Sequence, residues 1–241
     1  MGDLNLDCAQ TIAREAGLEL FETPDGLVLT DGTLSLLPDY SHLIPRLKQG
    51  VVQRELLVKA SKFKGEPSPA AFDATAGLGE DSLLLAAAGF RVTLCESNPV
   101  IAALLRDALR RAASDPFLGS IVARMKSVEG DSLQLLAEQA GGSDGTDAAP
   151  FDLVYLDPMF PGRTKSAAVK KKFQLLHRLE QPCADERAML DAAFAAAPRK
   201  IVVKRPVKGP YLAGVKPSRS LAGKAVRYDV VLPAKLGTGT N

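Results

Sequence analysis

Residues 70–96 read AAFDATAGLGEDSLLLAAAGFRVTLCE, and this stretch decides the fold. A short apolar run, 70–76, passes through Asp73 into a loop with glycines at 77 and 79. A leucine- and alanine-rich segment, 81–89, reads as a helix stopped by Gly89, and 91–96 reads as a second strand ending on Glu96. Two strands joined by a helix in so few residues run parallel, because a parallel pair requires a crossover connection.

Outward from this unit the same rhythm continues. Residues 100–113 form a strong alanine/leucine helix, 122–129 a strand, 132–140 a helix, and 141–145 a glycine-rich surface loop. A strand at 151–156, a helix at 185–197 and a strand at 200–204 follow, and 218–232 reads as an antiparallel pair or one long strand. Alternation of this kind predicts a mostly parallel sheet covered by helices on both faces, an α/β, Rossmann-like architecture. Residues 1–65 differ in character: a short helix over 6–18, a small meander over 18–37 with turn signals at Pro24-Asp25-Gly26 and Asp31-Gly32, and an amphipathic helix with a basic face over 46–64. The chain therefore divides into a small N-terminal α/β extension, 1–65, and a main domain, 66–241.

Composition narrows the function. The chain is 46% hydrophobic and 24% charged, ordinary for a globular protein, and no apolar run approaches the roughly 20 residues of a membrane span. The N-terminus lacks the basic start and apolar core of a signal peptide, which reads as cytoplasmic. With two histidines and three cysteines at unrelated spacings, neither a metal site nor a serine-histidine triad has enough material, so no metal is expected. The formal charge of +2 means that any nucleic-acid surface must come from local clustering of cations.

In open parallel sheets, ligands bind at the carboxyl ends of the strands, near the point where strand order reverses. Four strand ends carry suitable residues. The first is Asp73 with the Gly77 and Gly79 loop and Glu80-Asp81; the second is Glu96, placed to accept ribose hydroxyls; the third is Asp131-Ser132, placed to accept from an adenine amine; the fourth is Asp157. As separate features, each has an ordinary structural explanation in turns and helix caps. A dinucleotide loop wants a third glycine at position 82, where Ser82 stands, and Glu80 and Asp81 would repel a pyrophosphate. A cofactor with a ribose and cationic groups but no phosphate suits the loop better, which points to S-adenosylmethionine over NAD.

With a methyl donor in the crevice, the segment 151–172, FDLVYLDPMFPGRTKSAAVKKK, acquires a role. Asp157-Pro158-Met159-Phe160 resembles the D/N-P-P-Y/F-type motif of methyltransferases that act on exocyclic amines of bases. Such an amine is a poor nucleophile because its lone pair is delocalised into the ring. Asp157 and the Pro158 carbonyl, in a turn stiffened by proline, accept its N–H bonds, and Phe160 stacks on the extruded base. A carboxylate matches the adjacent N1 and N2 donors of guanine better than the mixed edge of adenine. Beyond the motif, Arg163, Lys165, Lys170, Lys171 and Lys172, then Lys204 and Arg205, read as RNA backbone contacts.

The segments DATAGLGEDSLLLAAAGFRVTLCESNPVIAALLRDAL (73–109), VYLDPMFPGRTKSAAVKKK (154–172) and KIVVKRP (200–206) resemble the ribosomal small-subunit methyltransferase J family. The resemblance runs from about residue 72 to 232. It implies a class I S-adenosylmethionine-dependent methyltransferase fold and methylation of guanine N2 in 16S ribosomal RNA, with that RNA or the small ribosomal subunit as partner. It places the cofactor contacts on Glu80-Asp81, Glu96-Ser97, Asp131-Ser132 and Asp157. The chain departs from the family's pattern at Glu80 and Ser97, where arginine is usual. N6-adenine methylation of DNA or RNA, or a non-catalytic RNA-binding role on the same fold, stand as the alternatives.

Overall fold

The computed structural model describes residues 6–141, 151–158, 171–179 and 185–233, with the backbone alone at 141 and 171–173. Helix α1 (Leu6–Glu15) stops where Gly17 adopts a φ of +69°, with the Leu18 N–H turned back to the Ala13 carbonyl. Strands β1 (Glu19–Thr23), β2 (Gly26–Thr30) and β3 (Ser35–Leu36) then form the expected meander, an antiparallel sheet in sequence order.

The single basic helix expected over 46–64 does not form. The chain makes α2 (Ile44–Leu47), a 3₁₀ turn (Val52–Arg54) and α3 (Leu56–Ser61), with Gly50 at a φ of +80° between the first two. Burial explains the break. Leu47, Val52 and Leu57 are all buried, yet on a continuous helix Val52 would face about 140° away from Leu47. Breaking the helix at glycine lets all three reach one core.

The main sheet follows. It comprises β4 (Ala70–Asp73), α4 (Glu80–Ala87), β5 (Arg91–Glu96), α5 (Pro99–Ala112), the short α6 (Gly119–Val122), β6 (Met125–Glu129), α7 (Ser132–Gly141), β7 (Leu153–Leu156), α8 (Lys171–Leu176), α9 (Glu186–Ala195), β8 (Lys200–Pro206), β9 (Arg219–Ala222) and β10 (Val226–Val231). Strand order is β6-β5-β4-β7-β8-β10-β9. The first five are mutually parallel, and β10 runs antiparallel to both β8 and β9, so 218–232 is the antiparallel pair. The third strand begins at Met125 instead of 122 because Ile121 and Val122 are buried from the short helix α6.

Strand alternation builds two layers. Ala71, Leu153, Tyr155 and Val202 face a core shared with α4 and α5, whereas Phe72, Val154, Leu156, Ile201 and Val203 face a core shared with Leu136 of α7 and Leu190 of α9. From residue 40 onward the N-terminal region feeds the first of these cores through Tyr40, Leu43, Leu47, Val52 and Leu57. The meander packs separately, against Val100, Ile101 and Leu104 of α5 and Leu175, Leu176 and Leu179 around α8.

A polar tie fixes that seat. Asp107 of α5 is 7% exposed; it accepts the Leu27 N–H at 3.0 Å and pairs with Arg110 and Arg111 at 2.6 and 2.7 Å. Arg111 also donates to the Pro38 carbonyl. Gly26 allows the approach, since a Cβ there would lie 2.4 Å from Arg111 Nε at a φ of +132°. Among the described residues, no helix is long and apolar enough to cross a membrane.

Candidate functional site

Strand order reverses between β4 and β7, so their carboxyl ends flank the crevice that open parallel sheets use for ligands. The ends of β4, β5, β6 and β7 are stitched together by backbone hydrogen bonds, with Ala74 N–H to Tyr155 O, Ala76 N–H to Cys95 O and Gly130 N–H to Glu96 O. The structure thus brings Asp73, the glycine loop, Glu96, Asp131 and Asp157 to one edge.

Asp73 is 1% exposed and does not present itself to a ligand, which corrects its expected role as a cofactor contact. It accepts the Thr75 N–H at 3.0 Å and the Ser82 hydroxyl at 2.6 Å, fastening the loop from inside. Burial pushes its carboxyl up to about 7, against the pull of the Ser82 and Thr75 hydrogen bonds. Ser82, at the position a third glycine would hold, is the buried partner of Asp73. Gly79 caps α4 at a φ of +76°, where a Cβ would lie 2.8 Å from Leu105 Cδ1; Gly77 is also left-handed, with open space where a Cβ would stand. Both backbone conformations are ones that glycine adopts without strain.

Glu96 accepts the Gly77 N–H at 2.9 Å and the Asn98 N–H at 2.8 Å, which aims the carboxylate across the loop. Burial raises its pKa, while the N–H groups of Asn98, Gly77 and Ser97 oppose that shift. Ser97 is exposed beside it. Asp131 is exposed and accepts the Leu133 N–H at 2.8 Å at the head of α7, and Ser132 is buried at 9% exposure. Glu80, in the first turn of α4, is partly exposed and lies 3.3 Å from His42. Cys95 is no nucleophile: burial pushes its thiol up to about 12, and it donates to the Gly130 carbonyl.

Asp157 stands at the end of β7, its N–H donated to Thr75 Oγ1 at 2.7 Å, with Pro158 buried after it. Lys204 of β8 bridges the crevice, with Nζ 2.6 Å from Asp81 Oδ2 and 2.9 Å from Asp157 Oδ2. The Tyr155 hydroxyl donates to the same Asp81 oxygen at 2.6 Å. Burial opposes the lysine's charge, but Asp157 and Asp81 outweigh it and hold Lys204 above the ordinary lysine range. Burial, then the Asp81 charge, raises the Tyr155 and Tyr228 phenols, so both remain donors. Tyr228 pairs in register with Lys204 on the neighbouring strand.

Two of the cations expected on an RNA-facing rim are therefore placed elsewhere. The Lys204 side chain is 18% exposed between two acids. Arg205 is 1% exposed; it pairs with Glu186 at 2.8 Å and donates to the Pro210 carbonyl. Strand alternation puts neighbouring residues on opposite faces, so both are drawn inward, one to each side of the sheet. Phe160, Arg163, Lys165 and Lys170 lie outside the described residues, as do the side chains of Lys171 and Lys172.

Sequence reasoning missed Thr75, Tyr155 and Tyr228 as members of the site and gave Lys204 an RNA-facing role instead of this inward one. The lysine had a readable signal: a charge inside the apolar run Ile201-Val202-Val203-Lys204 needs a buried counter-charge. Its partners, far away in sequence, had none.

The donor set fits S-adenosylmethionine. Asp81, Glu96, Asp131 and Asp157 offer carboxylates on one edge, with Lys204 paired to Asp81 and Asp157. That balance attracts a ligand bearing an ammonium and a sulfonium and repels a pyrophosphate. Among the described residues, no group of three side chains forms a metal-binding cluster.

A family model described as a putative S-adenosylmethionine-dependent methyltransferase matches residues 30–233. A ribosomal RNA small subunit methyltransferase J from Pseudomonas aeruginosa is 45% identical over 194 residues, covering 80% of this chain and 72% of the relative. A protein of the same name from Pseudomonas paraeruginosa is 45% identical over 185 residues, covering 77% and 68%. The crystal structure of an S-adenosylmethionine-dependent methyltransferase from Neisseria gonorrhoeae superposes with a TM-score of 0.72 at 30% identity, covering 100% of this chain and 96% of that one.

Proposed function

The chain belongs to the ribosomal RNA small subunit methyltransferase J family of S-adenosylmethionine-dependent enzymes, and from that premise we propose that it methylates the exocyclic N2 of a guanine in 16S ribosomal RNA. The observation that carries this reading is Asp157 at the switch point, followed by Pro158 and held by Lys204 at 2.9 Å and by Thr75 at 2.7 Å.

The bound cofactor supplies a methyl group on a positively charged sulfur, ready for transfer to a lone pair. In this reading Glu96 would hold its ribose hydroxyls, Asp131 its adenine amine, and Asp81 its ammonium, with Gly77, Gly79, Glu80, Ser97 and Ser132 shaping the edge around it. The Asp157 carboxylate accepts N–H groups from the base edge, and the Pro158 carbonyl accepts the second hydrogen of the amine. Accepting both localises the lone pair on nitrogen and aims it along the transfer direction, so positioning supplies most of the rate. Phe160 is placed by the sequence to stack on the extruded base, worth about 1–3 kcal/mol. Lys204 fixes the orientation of Asp157 by occupying one oxygen. When the amine loses its proton after transfer, Asp157 is the nearest acceptor.

The test is incubation with labelled methyl donor and small-subunit particles lacking the modification, followed by nucleoside analysis of the labelled RNA. Label in N2-methylguanine is the expected result; label in N6-methyladenine would replace guanine with adenine as substrate. Asp157→Ala is expected to lower kcat by at least 10³-fold, while affinity for S-adenosylhomocysteine changes by no more than about threefold. Retained turnover would remove Asp157 from the reaction.

A further inference from the structure

One contiguous stretch carries much of the positive charge. Residues 46–64 hold Arg46, Lys48, Arg54, Lys59, Lys62 and Lys64 against a single carboxylate, Glu55, in a chain whose formal charge is only +2. Glu55 is already engaged by Arg46 through two contacts of 2.9 Å. Lys48 and Arg54 are exposed on either side of the Gly50 turn, which also exposes Val51 at 40%. Neither makes an ion pair among the described residues.

This segment stands at the mouth of the crevice. His42, just ahead of α2, touches Glu80 at 3.3 Å, and the Tyr40 hydroxyl donates to the Leu78 carbonyl of the cofactor loop at 2.8 Å. The turn between β9 and β10 joins it from the other side: a Cβ at Gly223 would lie 2.9 Å from Leu56 Cδ1, and the exposed Lys224 follows. Beside an acidic crevice, then, runs a basic lip. That division fits a nucleic acid and misfits an acidic protein. A base carries no charge and offers N–H donors that carboxylates accept, whereas its phosphates are excluded from the crevice and attracted to the lip.

We infer that the lip formed by residues 46–54 and the 223–225 turn is the docking surface for the RNA backbone, with Lys48, Arg54 and Lys224 contacting phosphates while the base enters beside Asp157. The inference rests on the RNA methyltransferase reading and adds to it where the substrate is held. It replaces Lys204 and Arg205, which are turned inward.

The triple variant Lys48→Gln/Arg54→Gln/Lys224→Gln tests it. Binding of a fluorescently labelled, unmethylated 16S RNA fragment is measured by anisotropy between 50 and 300 mM potassium chloride, alongside KM, kcat and S-adenosylhomocysteine affinity. Each lost phosphate contact lowers the slope of log affinity against log salt by about 0.7–0.9, so the triple variant loses about 2.1–2.7. KM for RNA is expected to rise at least tenfold, with kcat and S-adenosylhomocysteine affinity within about twofold of wild type. An unchanged slope and KM would overturn the inference. A loss of S-adenosylhomocysteine affinity in step with RNA affinity would also overturn it, by showing a structural role. If wild-type protein methylates no RNA, the functional reading fails by itself; the binding slope still decides for or against the lip.

Discussion

Two ionic clusters in this molecule have opposite composition. At the switch point one lysine serves two carboxylates, Lys204 with Asp81 and Asp157; under the meander one carboxylate serves two arginines, Asp107 with Arg110 and Arg111. The second is completed by backbone, with the Leu27 N–H feeding the acid and the Pro38 carbonyl receiving Arg111, so its residual charge is spent on holding two segments together. The first retains a net negative charge at a ligand-binding edge. The same chemistry makes a fastening when backbone closes it, and a receptor for cations when it faces a crevice.

Removing the shared ion at the switch point is expected to have the largest effect. Lys204→Met removes the cation that Asp81 and Asp157 share, at a cost of about 3 kcal/mol in stability. Turnover is expected to fall at least 100-fold, because Asp157 loses its fixed orientation. Urea denaturation and kcat measure both, and a stable, active variant would reduce the lysine to a bystander. Next is Asp107→Ala, expected to cost about 2–3 kcal/mol, since it strands the buried Leu27 N–H and takes the partner from Arg111. Its kcat per folded molecule should hardly change, which separates fastening from receptor.

The effect that is smallest at any one step of pH sharpens the contrast through titration. Folded Asp73 is held at about 7 by burial, against 3.8 for an ordinary aspartate. Between those values the folded state binds more protons than the unfolded one, so the contribution of this group to stability falls as pH rises through the window. Asp73→Asn removes that dependence. The variant is therefore expected to gain on wild type by on the order of 1 kcal/mol per pH unit between pH 4 and 7, seen as converging or crossing urea midpoints. A constant difference would mean that Asp73 remains ionised.

Much of this was readable beforehand, for physical reasons that differ by region. The strand, glycine loop and helix of 70–96 are local, because apolar periodicity and glycine punctuation carry their own instructions, and β5 occupies Arg91–Glu96 as expected. Asp157 at a strand end was legible for the same reason. The basic helix over 46–64 was misread because its apolar residues answer to a core built elsewhere, and Val52 had to turn with them. Lys204 and Arg205 were misread because exposure was inferred from charge, whereas Asp81, Asp157 and Glu186 supplied partners that no local pattern announces. Tyr155 and Thr75 entered the site through hydrogen bonds to Asp81 and Asp157, 74 and 82 residues away, which sequence separation conceals.

The tie between Leu27 and Asp107 spans 80 residues, and the Arg178 contact with the Ala16 carbonyl spans 162. During synthesis, therefore, the meander leaves the ribosome well before the residues that seat it. The meander pairs its own strands early, but the acid it rests on emerges only when α5 has cleared the exit tunnel. Its apolar underside, Leu20, Leu27 and Leu29, stays unshielded through that interval. Slow translation between residues 30 and 111 would lengthen that exposure, and a chaperone acting on this nascent chain would find a client surface there.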